Sequence, residues 1–540
     1  MTASPPLVLS DARRWLAVGI AVGSVIVAVI DGTILNLALP SLVRDLGATN
    51  ADLQWIVDAY VLVFAGFMLT GGSLADRFGR VRLMRIGMVI FGAGSLAAAL
   101  AGSPGVLTAC RAAMGVGAAI ISPATLSIVA SLFDEPAART RAIGVWAGGA
   151  MVGLAIGPIV GGVLLDRFWW GSVFLVNVPI VIVSLPLLRR FVPESKNPEA
   201  SRLDPLGMLL STAALALVLW ATISAPDRGW TAPLTLWSYL LGAALFALFI
   251  LWELRNPAPL LDVRFFAVRR FVVPTAAVTV VQYTAAGFVF VLSLLLQFVH
   301  GYSPLETGLR LVPMAVVLSV GAVVSARVSA RIGARPMIVG GLLVEGLGCA
   351  LLGIASAFAP FSLLLLAMLA YALGQSMAFS PSMGLAMEAV PSERTGVAAG
   401  TNNTARQAGS ALGVAVIGSI VASAYRADLV VRTKALELGP DVLSSSKGSV
   451  GGAIDAGASL GGHTGAALAR SARIAFVHGT ERGLLVTAGI CALAAIGAGM
   501  FLSPDRVIAR APADAVSLPD VASAPAASLL PDATLRSDQL

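Results

Sequence analysis

Charge is what this sequence has least of. Only 12% of its 540 residues are Asp, Glu, Lys or Arg, against 57% hydrophobic ones, whereas a soluble protein carries roughly 25% charged residues to keep its surface wet. At about 150 residues per domain a chain of this length would form three or four globular domains. It has too little polar sequence to clothe them, so a soluble enzyme is excluded. Lysine is nearly missing: of 36 basic residues only Lys196, Lys434 and Lys447 are lysine. A nucleotide-binding phosphate loop needs Gly-Lys-Ser/Thr, and these lysines stand in Ser195-Lys196-Asn197, Thr433-Lys434-Ala435 and Ser446-Lys447-Gly448. No ATP site is expected. The three cysteines, Cys110, Cys349 and Cys491, lie far apart inside apolar runs without metal or redox spacing, and they read as small core residues. His300, His463 and His478 are scattered and offer no paired acid and base for a membrane enzyme. No metal or other cofactor is expected. The net charge of +7 is dispersed in short clusters between apolar runs, which argues against a nucleic-acid surface.

What remains is apolar sequence in long runs. A spanning helix takes about 20 apolar residues, and fourteen such windows fit, the first near 14–38 and the last two near 397–424 and 483–502. Arg13 and Arg14 before the first run resemble a signal peptide, but no small-x-small cleavage site follows, so a retained first helix is expected. Fourteen spans put both termini on one side. With that side cytoplasmic, the short inner loops hold eighteen arginines and lysines, including Arg77, Arg80, Arg202, Arg331 and Arg394. The short outer loops hold four, Arg44, Arg167, Arg228 and Arg310. Positive charge stays inside, so a multi-pass protein of the cytoplasmic membrane with both ends cytoplasmic is expected.

The chain repeats itself. Gly72 to Arg80 reads Gly-Ser-Leu-Ala-Asp-Arg-Phe-Gly-Arg and Arg327 to Arg335 reads Arg-Val-Ser-Ala-Arg-Ile-Gly-Ala-Arg, so Arg331 follows Arg77, and Gly333 follows Gly79, at an offset of 254 residues (331 − 77). Ser122-Pro123 returns as Ser380-Pro381. Two six-helix halves separated by an extra helix pair satisfy this spacing, as in many secondary transporters. The expected order is an N-terminal segment 1–13, a six-helix bundle 14–190, and a linker 191–270 with two extra helices. A second bundle 271–503 follows, carrying an extracytoplasmic loop 425–481, and then a disordered cytoplasmic tail 504–540.

Five motifs in order resemble the major facilitator superfamily, and within it the fourteen-helix drug:proton antiporters. They are Asp31-Gly32-Thr33 to Pro40, Leu53-Gln54-Trp55 to Tyr60, the loop Gly72 to Arg82, Arg111 with Gly115 and Gly117, and Gly153 to Gly162. The resemblance spans Asp31 to Phe501 and implies a major facilitator fold of two six-helix bundles plus two linker helices. The last motif is associated with exporters. Trp170-Gly171-Ser172 departs from the Arg-Trp pair usual after the first Trp, and Ala330 replaces Asp76 in the second loop copy, so only the first copy can act as a charged latch.

Counting along the helices at about 1.5 Å per residue puts Asp31, Asp58 and Arg111 at a similar depth, roughly 8–10 Å below the outer surface. A charge deep in the bilayer costs about 2.5–3.5 kcal/mol even on the mildest scale, and mutual pairing is the cheapest arrangement. Asp31 and Asp58 are therefore candidate proton carriers and Arg111 their partner. Asn36, Glu345, Asn402 and Arg406 are candidate pocket residues, each with a purely structural alternative. Asp76, Arg77, Gly79 and Arg80 form a candidate conformational latch. Gly153, Gly157 and Gly161 recur every four residues beside Pro158 and Gly162, a smooth face for close packing and a candidate hinge. The expected activity is proton-coupled efflux of amphipathic drugs or antibiotics by alternating access; export of one self-made metabolite is the alternative. No enzymatic activity is expected. The expected partners are small-molecule substrates, protons and membrane lipid, with no nucleic acid, and the chain is expected to act as a monomer.

Overall fold

The computed structural model describes residues 11–502 apart from 134, 197–203, 258, 260, 262, 355–358 and 391–394. The expected tail, Arg202 and Arg394 lie outside the described residues. Within them the chain is helical, with no strand: α1 (Asp11–Leu46), α2 (Asn50–Phe78), α3 (Arg80–Ala99), α4 (Pro104–Ser131), α5 (Pro136–Arg167), α6 (Ser172–Leu175), α7 (Asn177–Phe191), α8 (Pro205–Arg228), α9 (Pro233–Arg255), α10 (Arg269–Leu294), α11 (Pro304–Ile332), α12 (Ala334–Ile354), α13 (Phe361–Glu388), α14 (Thr395–Thr433), α15 (Pro440–Gly448), α16 (Val450–Leu460) and α17 (Gly462–Phe501). Thirteen segments among the described residues are long and apolar enough to cross a membrane, with α6 and α7 sharing one. The 32 residues of α5 complete an all-α integral membrane protein of about fourteen crossings.

The internal duplication is written into the helix ends. Thr49 caps α2 through a capping box with Asp52, and Ser303 caps α11 through one with Glu306. In each box the hydroxyl accepts from the third backbone N–H and the carboxylate answers the cap's own N–H, satisfying two orphan donors. The two boxes stand 254 residues apart, the same offset as the loop repeat. Both helices stop at glycine, Gly79 at φ +115° and Gly333 at φ +94°, a backbone shape that side chains resist. Beyond these stops the packing repeats too. Gly87 and Gly94 of α3 approach α4, and Gly341 and Gly348 of α12 approach α13, each so closely that an added Cβ would fall 2.4–2.9 Å from a neighbouring atom.

Within the first six crossings α1 packs on α5 and α2 and α3 pack on α4; within the last six α10 packs on α14 and α12 packs on α13 and α17. The two sets meet along α2 against α14 and α5 against α11, and the α8–α9 hairpin leans on α2 and α14. Asp204, the N-cap of α8, ties this hairpin by accepting from Trp252 Nε1 and Asn256 Nδ2.

The stretch 425–481, expected as a loop, is shorter. Residues 425–433 continue α14, and 462–481 already belong to the 40-residue α17. These stretches are rich in Ala and Arg, which favour helix without making it apolar, so hydropathy stopped short of the helix ends. Gly461 and Gly462, at φ +64° and +56°, set the break between α16 and α17. The α15–α16 pair lies across one end of the bundle, called here the capped end. Gly451 presses against Phe298 and Val43, Tyr425 Oη donates to the Ser446 carbonyl at 2.7 Å with that of Ser449 at 3.2 Å, and Arg473 Nε donates to the Phe298 carbonyl at 3.1 Å.

Candidate functional site

A deeply buried polar group lies among the first six crossings. Arg111 on α4 and Asp31 on α1 are 80 residues apart in sequence, and Arg111 Nη1 donates to Asp31 Oδ2 at 2.5 Å with both side chains no more than 2% exposed. Arg111 Nε donates to the Ile56 carbonyl at 3.2 Å and its guanidinium stands 4.2 Å from the centre of the Tyr60 ring, a cation–π contact. The other Asp31 oxygen accepts from Asn177 Nδ2 at 3.0 Å, and the same amide donates to Ser95 Oγ at 3.0 Å. Ser95 Oγ in turn donates to the Phe174 carbonyl at 2.8 Å. Five crossings thus enclose one ion pair whose bonds are nearly all satisfied. Asn177, Ser95 and Tyr60 were not singled out from sequence; a lone amide or hydroxyl within an apolar run carries no long-range signal.

Asp58 is different. It is fully buried and neither carboxylate oxygen has a partner. It follows Gln54 by one helical turn, so the two share a face of α2, and Gln54 Oε1 accepts from Ser419 Oγ of α14 at 3.2 Å. Nearly three turns beyond Asp58 along α2, Met68 Sδ accepts from Asn403 Nδ2 of α14 at 3.1 Å. Asp58 therefore lies on the α2 face turned to the opposite half, between these two cross-half contacts. Its neighbour on that face, Leu62, lines an open-sided cavity of about 1010 Å³ between α2, α8, α9, α10 and α14. The walls are apolar except for a few groups such as Thr212, Tyr239, Thr279 and Thr404. A cavity of this size suits a drug-sized ligand, and no sequence pattern indicated that the linker hairpin helps to build it.

The halves are bonded mainly towards the capped end. Ser293 Oγ donates to the Asn36 carbonyl and Gln297 Nε2 to the Leu37 carbonyl at 3.0 Å. Gln297 lies in a π-helical turn, Leu295–Val299, that follows α10, and such turns re-aim side chains at functional places. The Asn36 side chain donates to the Gly32 carbonyl at 3.2 Å on its own helix. Gly153, Gly157 and Gly161 face Ile26, Val29, Thr33 and Ile34 of α1, inside the first half. The contact between halves on α5 falls to their neighbours: a Cβ on Gly308 of α11 would lie 2.2 Å from the Pro158 carbonyl oxygen, and one on Gly162 would lie 2.7 Å from Leu305 Cα.

At the opposite end Arg80 Nε donates to Asp76 Oδ1 at 2.8 Å, whereas Arg77 is exposed. The Glu194 carboxylate caps α3 by accepting from the backbone N–H groups of Val81 and Arg82 at 3.0 Å each, and it occupies the space a Cβ on Gly79 would need. Glu194 was not anticipated; it reaches back from more than 110 residues away. In the second half Asn402 Nδ2 donates to Thr275 Oγ1 at 3.2 Å, joining α14 to α10. Arg406 has a buried, unbonded Nε and lies 5.3 Å from the Phe379 ring centre. Glu345 is fully buried between α10 and α13, where Thr284 touches one of its oxygens.

Comparison with known proteins places these features in a family context. The sequence model of the Major Facilitator Superfamily matches residues 21–414. The multidrug efflux pump LfrA of Mycolicibacterium smegmatis is 33% identical over 495 residues, 92% of this chain and 97% of that protein. The methyl viologen resistance protein SmvA of Salmonella typhimurium is 34% identical over 496 residues, 90% of this chain and 97% of that protein. In fold, the chain superposes with a TM-score of 0.68 on the crystal structure of a bacterial homologue of the human lysosomal transporter Spinster, captured inward-facing and occupied. That match is 17% identical and covers 92% of this chain and 98% of that one.

Proposed function

This chain belongs to the major facilitator superfamily, and from that premise we propose that it exports amphipathic drugs across the cytoplasmic membrane in exchange for protons, by alternating access. The drug part of the proposal is supported by relatives named for multidrug efflux and methyl viologen resistance and by the apolar cavity beside Leu62. The arginine bias of the loops supports cytoplasmic termini; in that orientation the capped end faces outside, and the contacts between halves there close the exterior side.

Asp58 is the observation that carries the proton part. A carboxylate enclosed without hydrogen bonds or a cation is expensive, and Asp58 lies at a seam between halves that must open and close in an alternating-access cycle. When the exterior seam opens, Asp58 meets water and takes a proton; the neutral acid is then cheap to bury, and the exterior end closes over it. Loss of that proton to the cytoplasm restores the charge and favours reopening outward, with drug carried in the cavity. Asp31 stays paired with Arg111 as a fixed dipole beside this step, and Arg111, bonded to the Ile56 carbonyl on α2, links the pair to the helix that bears Asp58. The driving force is the proton gradient, each proton contributing about 2.3 kcal/mol per 100 mV. The partners are amphipathic small molecules, protons and lipid, and one chain carries the complete path.

Cells with and without the gene, challenged with ethidium and other lipophilic cations, provide the test. Severalfold higher tolerance that disappears when an uncoupler collapses the proton gradient is expected; equal tolerance in both strains overturns the proposal.

A further inference from the structure

The buried polar cluster of the first half has a counterpart in the second. In the first half the first, third, fourth and sixth crossings supply Asp31, Ser95, Arg111 and Asn177. In the second half the same four positions are α10, α12, α13 and α17, and they supply Thr284, Glu345, Tyr371 and Cys491 around one point. The helix-packing offset of 254 residues carries Ser95 onto Cys349, one turn from Glu345 on the same face of α12. The carboxyl has moved from the first crossing to the third, and no arginine has come with it. Among the described residues Glu345 makes no salt bridge.

Hydrogen counting favours the neutral acid. The Thr284 hydroxyl has one hydrogen and two acceptors in reach, the Val281 carbonyl at 2.8 Å and Glu345 Oε1. Both contacts are bonds together only if the carboxyl supplies the second hydrogen. Glu345 Oε2 has no partner, and the Tyr371 hydroxyl, also buried, stands beside Thr284 without a formed hydrogen bond. The helices pack closely here: a Cβ on Gly374 of α13 would fall 2.1 Å from the Glu345 backbone nitrogen, and Tyr371 is stacked at 3.9 Å on Phe288. The other titratable groups around it are Cys349 on α12, Cys491 on α17, and Tyr371 and Tyr283 on α13 and α10; none of them is a cation.

We propose that Glu345, Thr284 and Tyr371 form a second proton-binding site, inside the C-terminal six-helix set and separate from Asp58, which is loaded in the exterior-closed state and emptied during the cycle. This rests on the proton-coupled reading above. On release the carboxyl O–H bond breaks, its electron pair stays on Glu345, and the proton passes to water. The Thr284 hydrogen then turns from Val281 to the carboxylate, and the idle Tyr371 hydroxyl supplies a second donor. The N-terminal pair differs because Asp31 has Arg111 as a bonded cation.

Infrared difference spectroscopy on the full chain in lipid, with ethidium as the probe, tests the site. The parent is expected to show a protonated-carboxyl C=O band at neutral pH that diminishes on ethidium binding. Glu345→Gln should lose the Glu345 part of this band, leaving only that of Asp58, and release about one proton fewer per chain than the parent. Thr284→Val, which keeps the acid, should shift the band without abolishing it, so misfolding of the first variant does not leave the matter open. A band unchanged in Glu345→Gln overturns the proposal, as does a Glu345 band indifferent to ethidium and pH, which marks a structural acid. Failure of the proton-coupled reading itself shows separately, as a parent protein that releases no proton on binding ethidium.

Discussion

Arg111 Nη1 stands 2.5 Å from Asp31 Oδ2 in a site with almost no solvent access, while Asp58, on the neighbouring helix, is buried with no partner at all. Two carboxyls at comparable depth thus occupy opposite electrostatic situations. One is neutralised by a fixed cation and an amide; the other can be neutralised only by something that comes and goes. That division of labour underlies the predictions below.

Asp58→Asn should fold and insert normally, because an amide replaces an uncompensated acid of the same shape. Leaving a buried polar group unpaired costs about 1–3 kcal/mol, and the asparagine is no worse off. Its melting temperature should match or exceed that of the parent, with pH-driven ethidium efflux lost. Normal efflux contradicts the assignment.

Arg111→Ala should be among the most damaging single changes. Breaking a buried ion pair by removing one member costs about 3–5 kcal/mol, and the cation–π contact with Tyr60 and the bond to Ile56 are lost with it. Arg111→Ala combined with Asp31→Asn should recover part of the melting temperature, since no unpaired charge remains, without restoring efflux. Thermal denaturation in detergent checks the order of the parent and the two variants; a double variant less stable than Arg111→Ala contradicts it.

These buried charges were legible in the sequence because charge stands out in an apolar run, and so were the fourteen spans and the repeat. The partners were not. Asn177 and Ser95 are ordinary polar residues whose meeting with Asp31 depends on how four helices pack. The glycine ladder on α5 announced close packing but not its recipient: the every-fourth-residue face meets α1, and Pro158 and Gly162, on another face, meet α11. Hydropathy marks where lipid begins, not where a helix ends, which is why α14 and α17 run past their apolar cores. The cavity arises from the lean of the α8–α9 hairpin, which no local pattern encodes.

Gly308→Ala should weaken the exterior closure. Its Cβ would fall 2.2 Å from the Pro158 carbonyl oxygen, and backbone cannot yield cheaply, so α5 and α11 must part. In a background freed of native cysteines, a cysteine at Asn36 should be labelled faster by an impermeant maleimide applied from outside. Equal labelling with and without the alanine contradicts this seam.

Gly79→Ala should destabilise the other end of α2. The position combines φ +115° with a Glu194 carboxyl 2.8 Å from the new Cβ, so the change strains the backbone and displaces the cap of α3. Loss of a cap costs about 0.5–2 kcal/mol. Glu194→Ala, which removes the cap alone, should lower the melting temperature less than Gly79→Ala; the reverse order contradicts the account.

The central claim is that a proton on Asp58 is exchanged for drug. Its most direct test is ethidium transport into inside-out vesicles containing the purified parent or Asp58→Asn, with an imposed pH gradient, acid inside, as the only energy source. The account predicts accumulation against the ethidium gradient by the parent, abolished by collapsing the pH difference and absent in Asp58→Asn. Accumulation by Asp58→Asn equal to that of the parent would contradict it.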